Sequence, residues 1–271
     1  MQGPGPIVNI RSMSAGADST VRGLDVPNVT AWLAAHVSEL RPPLGFVRIG
    51  DGQSNLTYRI DDAAGQSIVL RRPPLGELLA SAHDVAREYR ILAGLTSAAA
   101  RVPRPIALCE DIEVTGAPFY AMEHADGVIL TTVATAERLT PAARAATGPA
   151  LATTLAELHA LDVDGLGLGE LKRPESLISR QLRRWHRQWE SSRTRELPLV
   201  DELAAHFAAR LPEEREQVLV HGDYHLGNTL VGEDGTVCAV LDWELCTVGD
   251  PMADVGLMVA YWGEFGSAAG S

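Results

Sequence analysis

The stretch that decides the fold is VLVHGDYHLGNTLVGEDGTVCAVLDWELCTVGDPMADVGLMV, residues 218–259. It begins with an apolar run, Val218-Leu219-Val220, which predicts a strand that ends at His221-Gly222-Asp223. Asn228 follows five residues after Asp223, and an apolar hairpin then ends at Asp242. Polar residues at the ends of neighbouring strands can converge on one cleft, so we expect these side chains to lie close together.

Asp223, Asn228 and Asp242 supply carboxylate and amide oxygens. Oxygen atoms of this kind suit Mg²⁺ and suit zinc poorly. Asp and Asn also favour turns, which explains any one of the three but not all three beside apolar strands. The pattern therefore predicts a magnesium site.

With its His-Gly-Asp-x-x-x-x-Asn pattern and a strand-borne Asp, the stretch resembles the aminoglycoside phosphotransferase and choline kinase family, over about residues 25–262. The resemblance implies an α+β, two-lobed protein-kinase-like fold with an antiparallel-sheet N-lobe and a mainly helical C-lobe. More narrowly, residues 69–74 and 81–89 resemble the kinase-like domain fused to some acyl-CoA dehydrogenases.

The resemblance implies a role for each polar residue of the stretch. Asp223 would accept the proton of the substrate hydroxyl or orient that hydroxyl for in-line attack on the γ-phosphate of ATP. Asn228 and Asp242 would hold Mg²⁺ against the ATP phosphates. His221 and Asp254 would brace the catalytic loop.

Upstream, the resemblance implies a nucleotide site. Gly52, Ser54 and Asn55 would belong to a loop over the phosphates, although that loop alone reads as a hairpin turn. Arg71 stands where kinases place a Lys on the third strand, and Glu88, on an apolar helix face, would be its partner.

Two further points concern this nucleotide site. Arg72 competes with Arg71, because a one-residue slip swaps the faces of a strand. Glu123, after the strand 119–122, would lie in the hinge, where backbone groups meet adenine.

Three segments are expected: a disordered tail over 1–24, an N-lobe over 25–125 and a C-lobe over 126–271, with Met1 or Met13 as the start. Ser81 is predicted to cap the helix that carries Glu88. Trp185, Trp189 and Trp262 are predicted to be core residues, and His159 to pack near a helix end.

The chain ends nine residues after Trp262, whereas relatives usually continue with helices that wall the acceptor site. Either the chain is truncated or it has lost that wall. The preceding helices would then expose apolar surface, which favours a homodimer or instability.

Composition sets the remaining bounds. The 271 residues carry 35 Asp and Glu against 23 Lys and Arg, a net charge of −12, which argues against a nucleic-acid partner. No apolar run is long enough to span a membrane. The 3 cysteines form no CxxC pair, so a reducing, cytoplasmic setting is expected.

The leading hypothesis is an ATP- and Mg²⁺-dependent kinase whose acceptor is a hydroxyl of a small molecule. A catalytically silent, nucleotide-binding pseudokinase or truncated relative is the alternative. A protein kinase ranks third, since Trp243-Glu244 stands where Phe-Gly is usual. The acceptor is left open between a hydroxyacyl-type or other hydroxylated metabolite and an aminoglycoside.

Overall fold

The computed structural model describes residues 21–49, 55–75 and 84–262. The chain divides into two compact units, Met1–His83 with Ile106–Met122 and Asp84–Pro105 with Glu123–Ser271. None of the helices in the described ranges has the length and apolar character needed to cross a membrane.

The helices are α1 (Val26–His36), α2 (Val85–Ser97), α3 (Val133–Ala136), α4 (Pro141–His159), α5 (Leu177–Ser192), α6 (Pro198–Ala208) and α7 (Met252–Trp262). The strands are β1 (Gly45–Ile49), β2 (Leu56–Asp61), β3 (Ser67–Arg72), β4 (Pro105–Cys109), β5 (Phe119–Glu123), β6 (Val218–Val220), β7 (Thr229–Val231), β8 (Val237–Val240) and β9 (Thr247–Gly249).

The first unit is built on a sheet of strand order β1-β2-β3-β5-β4, whose first three strands form an antiparallel meander. Apolar side chains from one face of the sheet pack with α1 into a core that includes Tyr58, Leu70, Val29 and Leu33. Leu24, in the segment expected to be disordered, is also buried in this core.

The register of β2 and β3 decides where the two arginines point. Tyr58 lies opposite Leu70, and Arg71 lies opposite Thr57. Because side chains alternate along a strand, Arg72 shares the core-facing side with Leu70, and Arg71 lies on the other side of the sheet.

Helix α2 opens the second unit. Its N-cap is Asp84, whose carboxylate accepts a hydrogen bond from the Arg87 N–H. The start predicted at Ser81 lies outside the described residues, and the carboxylate of Asp84 serves as the cap instead. Segment 84–105, expected in the N-lobe, belongs to this second compact unit.

The rest of the second unit is mainly helical, with two short antiparallel sheets, β6-β9 and β7-β8. Helix α4 begins at Pro141 after the N-cap Thr140 and buries Leu151, Leu155 and Leu158. Two antiparallel pairings matter for the site, because β6 leads into Asp223 and the β7-β8 hairpin connects Asn228 to Asp242.

The prediction of a core position is wrong for two of the three tryptophans. Trp185 is 60% exposed and Trp262 is 51% exposed. Leu177 is the only buried residue of α5, and α6 contacts the middle of this helix, where His186 lies 3.1 Å from Asp201. Helical spacing predicts an apolar face, but it does not guarantee that another element covers that face.

Candidate active site

The His-Gly-Asp loop follows directly from β6, and its shape depends on the glycine. Gly222 has a φ of +87°, in the left-handed region. A Cβ atom at this position would lie 2.8 Å from the Leu245 carbonyl oxygen, which is a backbone atom and cannot move aside cheaply. Only glycine therefore fits between His221 and Asp223.

A fully buried carboxylate holds this loop. The two oxygens of Asp254 accept hydrogen bonds from the His221 and Gly222 N–H groups, each at 2.8 Å. His159, at the end of α4, lies 3.1 Å from the same carboxylate through its Nε2. The bracing role expected for Asp254 is thus visible as contacts, and His159 takes part in them.

The ring of His221 connects the loop to the strand that ends before Asp242. Its Nδ1 accepts from the Asp223 N–H at 3.2 Å, so the proton of the neutral ring lies on Nε2, which donates to the Leu241 carbonyl at 2.9 Å. Burial lowers the pKa of His221 and keeps the ring neutral. The ring packs edge-on against the buried Trp243, with centroids 4.6 Å apart.

Asp223 and Asn228 are in direct contact. The Asn228 Nδ2 donates to the Asp223 carbonyl at 2.9 Å and to the Asp223 Oδ2 at 2.8 Å. The pKa of Asp223 lies below its ordinary value, first because of the hydrogen bond from His225 and further because of that from Asn228, while partial burial opposes the shift. The Asp223 side chain is 36% exposed, so an ionised carboxylate is accessible here.

The orientation of the Asn228 amide follows from its partners. Both partners are acceptors, so the nitrogen must face them and the Oδ1 atom points away. This oxygen accepts no hydrogen bond from the described part of the chain. It is an uncharged oxygen beside an ionised carboxylate.

Asp242 lies at the other strand of the same hairpin. Thr229 pairs with Val240, and the Leu241 N–H donates to the Asn228 carbonyl at 2.8 Å. Asn228 and Asp242 therefore flank the open end of the β7-β8 hairpin. Asp242 has a φ of 66°, a left-handed conformation that Asp tolerates better than most residues.

This arrangement offers a cation a carboxylate and an amide oxygen. Within residues 21–49, 55–75 and 84–262, no group of three or more His, Cys, Asp or Glu side chains could hold a metal ion. Mg²⁺ typically uses one or two protein carboxylates and takes its other ligands from phosphates and water. The donor set of Asn228 and Asp242 fits that pattern.

Helix α2 fixes the turn that follows Asp242. The buried Glu88 accepts a hydrogen bond from the Trp243 N–H at 3.2 Å through its Oε1. Arg87, the preceding residue, donates to the carbonyls of Glu244, at 3.0 Å, and Cys246. No local sequence pattern indicates this role of Arg87, because an arginine on a helix is usually solvated and its carbonyl partners lie about 160 residues away.

The two arginines of β3 have different surroundings. Arg72 is buried and donates through its Nη1 to the carbonyls of Gly23 and Thr115 and through its Nε to that of Pro73, at 3.2 Å. These contacts tie Arg72 to the first unit's own backbone. Of the two alternatives, Arg71 is the one on the face opposite this core.

The other nucleotide-site residues from the sequence are only partly visible. Gly52 and Ser54 lie outside the described residues, and Asn55 is buried. Glu123 pairs through its exposed carboxylate with Arg104, 2.6 Å from Nη2 to Oε1. Its own N–H donates to the Arg104 carbonyl at 2.9 Å, so this main-chain donor is not available to a nucleotide.

The sequence profile of the phosphotransferase enzyme family matches residues 45–269. Acyl-CoA dehydrogenase family member 10 of Mus musculus is 38% identical over 214 residues, which are 79% of this chain and 20% of that protein. Acyl-CoA dehydrogenase family member 11 of Gallus gallus is 39% identical over 221 residues, 81% of this chain and 28% of that protein. The chain spans less than a third of the length of either relative.

Solved structures agree on the fold. A candidate aminoglycoside phosphotransferase from Ralstonia eutropha JMP134 superimposes with a TM-score of 0.72 at 33% identity, covering 88% of this chain and 70% of that one. The GDP complex of aminoglycoside 2'-phosphotransferase-IIIa superimposes with a TM-score of 0.65 at 18% identity, covering 89% of this chain and 80% of that one. An aminoglycoside phosphotransferase in complex with ADP and hygromycin B has a TM-score of 0.59 at 21% identity, covering 80% of this chain and 72% of that one.

The family match covers most of the chain and includes every polar residue of the His-Gly-Asp loop and the hairpin. The fold predicted from residues 218–259 is confirmed by the solved neighbours. The chain belongs to the phosphotransferase enzyme family and has the protein-kinase-like α+β fold of the aminoglycoside phosphotransferases.

Proposed function

We propose that this protein is an ATP- and Mg²⁺-dependent phosphotransferase that moves the γ-phosphate to a hydroxyl of a small molecule. The observation that carries the proposal is the arrangement of Asp223, Asn228 and Asp242. An ionised, accessible carboxylate lies in contact with an amide whose oxygen points away from it, and a second carboxylate flanks the same hairpin end.

Asp223 is the proposed catalytic residue. Its carboxylate accepts the proton of the acceptor hydroxyl, or orients that hydroxyl, while the hydroxyl oxygen bonds to the γ-phosphorus and the bond to the ADP leaving group breaks. The lowered pKa of Asp223 keeps it ionised at neutral pH, which suits a proton acceptor or a hydrogen-bond acceptor.

Asn228 and Asp242 are the proposed metal ligands. Mg²⁺ bound there would neutralise charge on the ATP phosphates. Asn228 would contribute its Oδ1 while its nitrogen holds Asp223, so one side chain orients both the metal site and the proton acceptor. Asp242 is held for this role by its own backbone and by the Glu88 contact to Trp243.

The nucleotide is proposed to be ATP, with Asn55, Arg71 and the loop of Gly52 and Ser54 on its phosphates. Solved family members that bind GDP and ADP support a nucleotide site in this fold. For adenine, Glu123 would offer only its main-chain carbonyl, because its N–H is already used by Arg104. The 3 cysteines are free thiols, which suits the proposed cytoplasmic location.

An acceptor screen tests the proposal. Release of ADP is measured with Mg²⁺ and ATP against hydroxyacyl compounds, other hydroxylated metabolites and aminoglycosides including hygromycin B. We expect at least one alcohol to stimulate ADP release, with the product phosphorylated, and Asp223→Ala to abolish the stimulation. An acceptor that is phosphorylated equally well by wild type and Asp223→Ala would overturn the assigned mechanism.

A silent nucleotide-binding protein is the second candidate, favoured by Arg71 in place of the usual lysine of the third strand. Arginine is always charged and binds phosphate through a fork rather than as a point charge, so the two are not equivalent. ADP release that depends on an added alcohol would exclude this candidate. Nucleotide binding with no transfer to any acceptor would favour it.

A further inference from the structure

The catalytic loop contains a histidine, His225, to which the roles above assign nothing. We propose that His225 is a positioning residue: it donates a hydrogen bond to the Oδ2 of Asp223 and turns the Oδ1 of that carboxylate toward the acceptor hydroxyl. The proposal rests on the proposed function and adds to it the atom of Asp223 that receives the proton.

The tautomer of His225 follows from its contacts. Its Nδ1 lies 2.9 Å from the Gly227 nitrogen and accepts that N–H. In the neutral ring the proton is therefore on Nε2. This atom lies 3.5 Å from the Asp223 Oδ2, the outer limit of a hydrogen bond, and such contacts often tighten when substrate binds.

The amide of Asn228 lies close to the same ring nitrogen of His225. Its Nδ2 lies 3.4 Å from the His225 Nε2, but both groups are donors and cannot bond each other. Both groups instead point to one acceptor, the Oδ2 of Asp223, which lies 2.8 Å from the Asn228 Nδ2. The Oδ1 of Asp223 accepts no hydrogen bond from the described ranges of the chain, so its lone pairs are the ones open to an incoming hydroxyl.

Two features hold the ring in this orientation. Tyr261, near the end of α7, stacks on the His225 ring with centroids 4.5 Å apart and planes 23° apart. The second is the lack of a side chain at Gly227, where a Cβ atom would lie 2.6 Å from the ring Cε1 and 2.9 Å from Nδ1. The ring keeps its place only while residue 227 has no side chain.

A purely structural histidine would need the stack but not the donor, and the two can be separated. His225→Phe keeps a ring for Tyr261 and loses the donor. His225→Gln places an amide N–H near the former Nε2 and loses the ring. If His225 positions Asp223, the His225→Phe variant loses activity and the His225→Gln variant keeps part of it. If His225 only fills space, His225→Phe keeps its activity and His225→Gln loses it.

The kinetic test uses wild-type protein and both variants, with Mg²⁺, ATP and the acceptor found in the screen. We expect His225→Phe to lower kcat by about 10-fold with the KM for ATP unchanged, and His225→Gln to recover part of the loss. Tyr261→Ala should lower kcat in the same way, whereas Tyr261→Phe, which keeps the stack, should match wild type. A His225→Phe variant with wild-type kcat would overturn the proposal.

A second measurement needs neither nucleotide nor acceptor. Nitrogen–proton correlation spectra of the histidine rings distinguish the two neutral tautomers, and His225→Phe identifies the signal. We expect the Nε2-protonated form, with its Nε2 resonance shifted by Asp223→Asn and its tautomer mixed in Gly227→Ala. The Nδ1-protonated form would overturn the proposal. The expected spectra from a protein that transfers no phosphate would support the His225 contact and refute the proposed function, so the two failures are distinguishable.

Discussion

The side-chain nitrogen of Asn228 bonds both the carbonyl and the carboxylate of Asp223, at 2.9 and 2.8 Å. This one contact fixes three things in the site. It closes the catalytic loop onto itself, it orients the proposed proton acceptor, and it turns the Asn228 oxygen away from Asp223. The proposed chemistry depends on all three.

Asn228→Asp tests this contact with almost no change in shape. The variant replaces the donor by a carboxylate that faces another carboxylate, and loss of a hydrogen bond to a charged group is worth roughly 1.5–3 kcal/mol. We expect kcat to fall by about 10- to 100-fold in the coupled ADP assay. Asn28→Asp is the matched control, because Asn28 makes a similar but exposed contact to Asp25 at 3.1 Å. Equal activity of the two variants would contradict the account.

Asp254→Ala tests the buried carboxylate behind the loop. Removing it leaves the His221 and Gly222 N–H groups buried without their acceptor, and each such group costs about 1–3 kcal/mol. We expect the free energy of unfolding to fall by about 2–5 kcal/mol in urea titrations. Asp164→Ala, which removes an exposed pair to Lys172, should cost under about 1 kcal/mol. Similar losses in both variants would show that Asp254 does not hold the loop.

His221 should make stability depend on pH. Burial lowers its pKa in the folded state, although the carboxylates of Asp254, Asp242 and Asp223 oppose the shift. Below the ordinary histidine pKa of about 6.5, His221 is protonated in the unfolded chain but stays neutral in the folded protein. The free energy of unfolding therefore falls as the pH decreases from about 6.5 toward the pKa of folded His221. The slope is at most about 1.4 kcal/mol per pH unit.

Urea titrations between pH 7.5 and pH 5 check this dependence. We expect His221→Gln to show a shallower decline than wild type, and His206→Gln, at an exposed position of α6, to keep the wild-type decline. Parallel curves for wild type and His221→Gln would rule out His221 as the source.

Glu88 should act on the metal site through the Trp243 main chain. Glu88→Ala removes the acceptor of the Trp243 N–H, which follows Asp242 directly, so we expect the affinity for Mg²⁺ and ATP to fall by about 10-fold. Glu88→Gln keeps an oxygen acceptor at the same position and should retain more of the affinity. Calorimetric titration of ATP with Mg²⁺ into both variants measures these affinities. Equal losses of affinity would mean that the charge of Glu88 matters rather than its contact to Trp243.

Local pattern was enough to predict the strand 119–122 of the first sheet and the segment from Val218 to Asp242. Alternating apolar residues, turn residues and the spacing of Asp223 and Asn228 are all short-range features, and the structure has strands at these positions. The resemblance to the broad family depends mainly on this segment, and the narrower resemblance depends on residues 69–74 and 81–89. Residues close in the chain could therefore be placed from the sequence.

Contacts between distant residues could not be predicted in this way. The sequence leads one to expect Arg71 as the partner of Glu88, and nothing in it shows that Glu88 accepts the Trp243 N–H, 155 residues away. Trp185 has the spacing of a core residue and is exposed, because burial depends on whether another element covers that face of α5. The Tyr261 stack on His225 likewise joins two segments that no local pattern relates.

The most direct test of the central claim is calorimetric titration of ATP into wild type and Asp242→Ala, with and without Mg²⁺. Asp234→Asn is the matched control, because Asp234 lies at the turn of the same hairpin and the amide can still accept the Thr236 hydrogen bonds. The account predicts ATP binding by wild type and Asp234→Asn that requires Mg²⁺ and that Asp242→Ala loses. Failure of folded wild type to bind ATP, or binding that is unchanged in Asp242→Ala, would contradict it.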